Sequence, residues 1–430
     1  MSGRPRRTGP ARALAAALLV AVALAGCGGG EGSGAATATA PAAATAPGGP
    51  AAAARTTAAS GRVLRVPSSY ATIQAAVDAS RPGDLVLIAP GVYHEAVEVG
   101  DEHPDVVIRG ADRNRVILDG RHRLADGIKV SAGGVAVENL TVRNYAVNGV
   151  VWYTEGSYAA AGRYTQGWRG SYLTAYDNGL YGVYAFGVQH GRFDHVYASG
   201  HPDSGIYVGR CKPCHALVTD SVTERNHVGL EFTNAGGDVV VRGNLARRNR
   251  VGVQVNSLTK ERSAPQVGMT IEDNDVADNQ EPRAPRGSQG FGAGIVINGG
   301  RENVVRGNRI SGHRRVGVVV LDSDSYGAQD NRVEGNRLRG NRVDLALQTA
   351  GGSAGNCFAG NRPRRTAPAG LEGATRCGET VDVAVGRLPA IAVPPQVDYR
   401  AVAPPGPQPS MPHARSAPAE PAVDRPERAR

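Results

Sequence analysis

A short phrase recurs along this chain: a glycine followed by an apolar, a variable and another apolar residue. It begins at Gly127, Gly149, Gly182, Gly205, Gly229, Gly252, Gly294 and Gly317, and a weaker copy opens at Asp344. Successive glycines are 22, 33, 23, 24, 23, 42 and 23 residues apart. A basal period near 23 describes one structural unit stacked many times with two insertions, so the chain forms one elongated array rather than several globular domains.

Aligning the copies on the glycine separates an inside from an outside. One residue on stand Ile128, Val150, Val183, Ile206, Leu230, Val253, Ile295 and Val318; three on stand Val130, Trp152, Ala185, Val208, Phe232, Val255, Ile297 and Val320. The column between them, Lys129, Val151, Tyr184, Tyr207, Glu231, Gln254, Val296 and Val319, is mixed. Alternation with period two is that of a strand with one buried face. Asparagines five apart, such as Asn139/Asn144, Asn244/Asn249, Asn274/Asn279, Asn336/Asn341 and Asn356/Asn361, flank short strands. Asn tolerates left-handed backbone and bonds to its equivalents above and below, which predicts ladders at the corners of a coil. With 58 glycines against 5 Phe and 2 Trp, tight corners rather than long helices or an aromatic core are expected.

Ahead of the first copy, residues 70–80 place Ile73, Ala76 and Val77 on one helical face, and Arg81-Pro-Gly stops the helix. The opening Tyr70-Ala-Thr-Ile-Gln-Ala-Ala-Val-Asp-Ala, followed by Pro82-Gly-Asp-Leu-Val-Leu-Ile-Ala-Pro-Gly-Val-Tyr-His-Glu95, resembles the N-terminal start of right-handed parallel β-helix proteins of the pectate-lyase-like superfamily. The resemblance covers residues 62–361. It implies an all-β, right-handed parallel β-helix (solenoid) with a short N-terminal capping helix. That superfamily contains lyases, esterases, hydrolases, epimerases and maturation factors, so activity does not follow from it. The Asp-Pro-His-Glu motif of mannuronan epimerases is scrambled here to His201-Pro-Asp-Ser204, and the paired-aspartate motif of pectin methylesterases is absent.

The flanking segments differ in kind. Residues 1–26 read as a lipoprotein signal peptide, with arginines at 4, 6, 7 and 12, an apolar run and the lipobox-like Leu24-Ala-Gly-Cys27, which predicts lipidation at Cys27 and a membrane-anchored, extracytoplasmic protein. Residues 27–60, rich in Ala, Gly, Thr and Pro, read as a tether. Residues 362–430, rich in Pro, Arg and Ala, read as a largely disordered tail. The leader arginines and a tail holding ten Arg against seven acids account for most of the net +9, which leaves about +2 on the repeats and gives no indication of nucleic-acid binding. Export favours disulfides. Cys357 and Cys377 flank the exit from the coil, and Cys211-Lys-Pro-Cys214 is read as a local disulfide, with redox or metal roles as its alternatives. A monomer is expected. No cofactor is expected either: the acidic pairs Asp322/Asp324 and Asp273/Asp275 are turn-like, and no specific calcium motif is present.

The residues surplus to folding gather between 152 and 233. Tyr184, Tyr207 and Glu231 occupy successive outward positions, with Phe186, Arg210, His201 and Asp203 nearby and the loop after Trp152-Tyr153, ending at Trp168, above them. Rings edged by charge suit a sugar, whose faces pack on aromatics while its hydroxyls need polar partners. The expected partner is therefore a polysaccharide, bound through Trp152, Tyr153, Trp168, Tyr184, Phe186 and Glu231. If the protein is catalytic, lyase or epimerase chemistry on a uronic acid polymer is expected. His201 or Tyr207 would take the proton and Arg210 or Lys212 would neutralise the substrate carboxylate, with Asp203 a further catalytic candidate. The alternative is a non-enzymatic binding, scaffold or maturation-factor-like β-helix protein.

Overall fold

The computed structural model describes residues 61–155, 162–258, 261–285 and 290–422. The predicted signal peptide, Cys27 and the tether lie outside them. Among the described residues the strands fall into three parallel sheets, of twelve (sheet A), ten (sheet B) and eleven strands (sheet C), and each complete turn of the coil gives one strand to each sheet in that order, the terminal turns being incomplete. The glycine phrase builds sheet C. Its register follows the alignment: Val183 pairs with Ile206, Ile206 with Leu230 and Leu230 with Val253. Both predicted inward columns are buried in one continuous core.

The corners show why the repeat is written with glycine and asparagine. Between sheets A and B, residues with positive φ (Asp220, Gly243, Asp273, Gly307, Gly335, Gly360) turn the chain, and the next residue points inward. Asn244, Asn274, Asn308, Asn336 and Asn361 stack there, each side-chain nitrogen 2.9–3.0 Å from the oxygen of the next. Each oxygen also accepts the main-chain N–H of its neighbour, so the buried amides are satisfied. Glu372, from the short helix Leu371–Ala374, replaces the next asparagine and ends this ladder on Asn361.

A second ladder, between sheets B and C, runs beneath the repeated glycines. A Cβ on Gly205 would lie 2.8 Å from Asn226 Nδ2, one on Gly229 2.8 Å from Asn249 Nδ2, and one on Gly252 2.7 Å from Asn279 Nδ2. The glycine column is thus the space into which the amide ladder fits. Asn139 and Asn144, expected in the ladders, instead take the positive-φ corner positions, and Leu140 and Tyr145 follow them into the interior.

The helix Ile73–Asp78 covers the first turn with Ile73, Ala76 and Val77 buried, as its pattern predicts. Thr72 caps it, and Glu95 accepts the first two helical N–H groups at 3.1 Å. Both expected disulfides are formed, Cys211–Cys214 and Cys357–Cys377. The first is buried in the core cluster, which leaves the CxxC pair a structural role.

The tail departs from expectation. Through residue 422 it is an ordered strap that runs back along the coil toward its N-terminal turns. Gly386 bonds to Leu347 and Gln348, Leu388 packs on the outer face of sheet C, and Pro394 and Pro395 carbonyls meet Arg250 at 3.2 and 2.7 Å. Further on, Arg113 donates to Pro409 at 2.8 Å, Arg109 to Ala417 and Pro418 at 2.8 and 2.9 Å, and Arg169 to Glu420. Ala422 closes the path on the Gly134 carbonyl. Proline has no N–H, so a proline-rich segment offers mainly carbonyl acceptors, and buried guanidinium groups are their complement. Glu138 holds two of these cations, 2.8 Å from Arg109 and 2.6 Å from Arg169. Composition suggested disorder because the strap has no hydrophobic pattern of its own; its order is supplied by arginines on the coil.

Two ladder positions are histidines. His201 and His313 are fully buried, and burial lowers both imidazoles to about 4. An unfolded histidine titrates near 6.5, so as pH falls from 6.5 toward 4 the unfolded chain takes up protons that the folded chain refuses, and stability is lost. The double variant His201→Asn/His313→Asn should therefore lose less melting temperature than the wild type across that window, with little difference at pH 8. Parallel melting curves from pH 8 to 4 would contradict the ladder role.

Candidate functional site

Sheet C carries the surplus residues on its outer face, and neighbouring turns bring them together at a spacing of about 4.8 Å. Tyr153 and Phe186 are register partners, as are Tyr184 and Tyr207, and Tyr207 and Glu231. The rings form a continuous platform. Tyr184 stacks on Phe186 with centroids 5.1 Å apart and on Tyr181 at 4.5 Å, and it meets Tyr207 at 4.7 Å. Tyr153, Tyr181, Tyr184 and Phe186 remain partly exposed, whereas Tyr207 is buried beneath them. Room for Tyr207 comes from Gly209, where a Cβ would lie 2.4 Å from the tyrosine hydroxyl.

Cations border the platform. Lys129 Nζ lies 5.0 Å from the Tyr153 ring centroid, and the Arg210 guanidinium sits 4.7 Å from that of Phe186 while pairing with Glu261 at 2.7 Å. Beyond Tyr153 the face opens into a hollow of about 310 Å³, lined by Asp101, Thr154, Glu155, Arg163 and Tyr164 among others.

At the other end of the platform stands a pair of carboxyl groups. The Ser204 hydroxyl reaches both Asp203, at 3.3 Å, and Glu231. Glu231 also accepts from Thr233 at 2.8 Å and lies 3.4 Å from Asn256. Burial first, and the nearby Asp203 charge second, push the Glu231 carboxyl up to about 8. A protonated acid beside a second carboxylate is a proton donor in waiting at neutral pH. Ser204 and Tyr181 hold the corner positions before their strands, which the sequence places beside this cluster, whereas Thr233 was not singled out.

Several expected site residues lie elsewhere. His201 is a rung of the corner ladder: its Nε2 faces Asn178 Nδ2 at 3.2 Å and its Nδ1 faces Asn226 Oδ1 at 2.8 Å. The network assigns the proton to Nδ1, so the ring copies an asparagine amide and cannot serve as a base for a bound substrate. Trp152 and Trp168 are core residues, each about 1% exposed, packed on Phe193 with centroids 5.6 and 4.7 Å away. Trp152 belongs to the inward column, and Trp168 lies over Gly191, where a Cβ would be 2.1 Å from its ring. Tyr207 touches the platform, but burial raises its hydroxyl well above the usual tyrosine range, which removes it as a base. Lys212 points away and donates to Pro265. Asp322 closes a loop by accepting the N–H groups of Ala328 and Ala350.

The family model described as "right handed beta helix region" matches residues 126–338. No curated protein matches the chain. Similar solved structures include the A-module of mannuronan C-5 epimerase AlgE4 from Azotobacter vinelandii, at 16% identity and TM-score 0.47, covering 68% of this chain and 94% of that one. An alginate lyase from a Paenibacillus species is similar at 13% identity and TM-score 0.42, covering 66% and 97%. A DFA-IIIase from Arthrobacter chlorophenolicus is similar at 12% and 0.44, covering 70% and 94%. These identities and scores assign no activity; together with the three parallel sheets, the family match identifies the chain as a right-handed parallel β-helix.

Proposed function

We propose that the outer face of sheet C, from Lys129 to Glu231, binds a polysaccharide, and that the Asp203–Glu231 pair processes it by proton transfer. One observation carries the reading: a column of partly exposed stacked rings ends on a carboxyl held protonated near neutral pH. Pyranose faces pack on Phe186, Tyr184 and Tyr153, and Lys129 and Arg210 offer charge to hydroxyls or to uronate carboxylates. Glu231 acts as general acid, with Asp203 beside it as the second carboxyl group. In lyase or epimerase chemistry Asp203 takes the place of His201 and Tyr207 as the base, while Arg210, at the far end of the strand Ser204–Gly209, offers charge to a neighbouring sugar and not to the one that Asp203 meets.

The near-complete burial of Glu231 favours a second reading, in which the groove binds a glycan without changing it. Incubation of the protein with a panel of neutral and uronic acid oligosaccharides separates the two. Products formed by the wild type and lost in Glu231→Gln support processing, whereas binding with no product supports the binding protein.

The platform itself is tested by affinity. Each of Tyr184→Ala and Phe186→Ala should weaken glycan binding about tenfold, the scale of one lost ring contact. Unchanged affinity in both would remove the groove from the reading.

The carboxyl pair has a separate signature in stability. The Glu231 carboxyl is raised in the folded state from 4.5 to about 8, so its contribution is full below 4.5 and is lost as pH rises through 8. The melting temperature of the wild type should fall relative to Glu231→Gln as pH goes from 5 to 9. A constant difference would show an ordinary carboxylate at this position.

The protein acts outside the cytoplasm, anchored through Cys27; the lipobox-like motif and the two disulfides support this placement. Cys27→Ser should move the protein from the membrane to the soluble fraction of its native host, and unchanged membrane association would contradict the anchor.

A further inference from the structure

The groove on sheet C differs at its two ends. Toward the N-terminal turns its face continues past Lys129 to the exposed Glu98, with the hollow at the corner that follows Tyr153 to one side. Toward the C-terminal turns it is covered. The outer face there, Val296, Val316, Val319, Val343 and Ala346, is apolar and buried, and the strap crosses it: Leu388 packs on this cluster, and Ile391 reaches Gly292.

The cover is anchored one turn beyond Glu231. Arg250, fully buried, holds the Pro394 and Pro395 carbonyls at 3.2 and 2.7 Å and the Ala284 carbonyl at 2.9 Å, with its guanidinium 5.4 Å from the Phe291 ring centroid. Phe291 belongs to the second insertion, which the sequence marked and to which the binding reading gives no role. The ring platform therefore lies on one side of the carboxyl pair only, and the strap segment from Leu388 to Pro395, with Ala284 and Phe291, lies on the other.

Resting on the glycan reading above, we infer that the groove is blind. The strap makes the site recognise a chain terminus, so the Asp203–Glu231 pair meets the terminal sugar linkage and not one in the middle of a polymer. Residues Leu388 to Pro395 are specificity-determining through steric exclusion, a device that rejects internal segments rather than adding attraction to ends. The order along the coil is Lys129 and the rings, the carboxyl pair, then the strap segment from Leu388 to Pro395, and a linear glycan parallel to the coil axis has room to extend in the first direction alone.

The test uses the full chain and cello-, malto-, chito- and mannurono-hexasaccharides, each offered free and with either the reducing or the non-reducing end blocked by a bulky fluorophore. For any hexasaccharide that binds, blocking one particular end should weaken binding about tenfold or more, the cost of at least one lost ring contact, while blocking the other end is tolerated. The strap variant Leu388→Asp/Ile391→Asp should restore binding of the blocked ligand. The wild-type arms decide even if that variant is unstable. Equal affinity for free ligands and for both blocked forms, still sensitive to Tyr184→Ala, overturns the blind groove and leaves the glycan reading intact. A panel to which nothing binds overturns both.

Discussion

The structure depends on the contact between a missing Cβ and an amide. Each sheet C glycine from Gly205 to Gly252 leaves the volume in which the neighbouring corner asparagine lies, and a methyl group there would come within 3 Å of that amide. The asparagines in turn satisfy one another and the main-chain groups of the corner, which would otherwise be buried without partners. Glycine and ladder are therefore one unit: substituting the first displaces the second, and breaking the second leaves polar atoms unpaired through several turns. This coupling keeps successive turns in register and so aligns the outward side chains of sheet C into columns.

The same register explains how a surface site arises without a designed pocket. Parallel stacking places Tyr184 on Tyr207 and Tyr207 on Glu231 because each is the second residue after its glycine. Inward positions are held by packing, so the outward column is free to carry rings, carboxyls and cations. The strap adds a second level of organisation. It lies outside the repeat yet is read by guanidinium groups from distant turns, and Arg113, lowered to about 10 by burial, accepts that cost among carbonyl and hydroxyl acceptors.

Most of the coil was legible in the sequence, since hydrophobic alternation after glycine is a local signal that tertiary context does not reverse. The capping helix was legible for the same reason. Functional residues were harder, because residue type does not say which way a side chain faces. His201 looked like a base but stands four residues before Gly205, as Asn178 stands before Gly182 and His313 before Gly317, while the ladder residues Asn226 and Asn249 stand three before Gly229 and Gly252. Trp152 already lay in an inward column, and its scarcity drew attention that its position did not support. The strap was illegible because nothing within it encodes order: Arg250 reaches it across 144 residues of sequence and Arg113 across 296.

The central claim is that function lies on the exposed rings of sheet C and stops at the strap. A crystal structure of the protein soaked with a binding oligosaccharide tests this most directly. The account predicts sugar rings stacked along Tyr153, Phe186 and Tyr184, with the terminal sugar over the Asp203–Glu231 pair and against the Arg250-held turn of the strap. Sugar bound on another face, for instance at the stacked Tyr172 and His195 rings, or running through under a displaced strap, would contradict it.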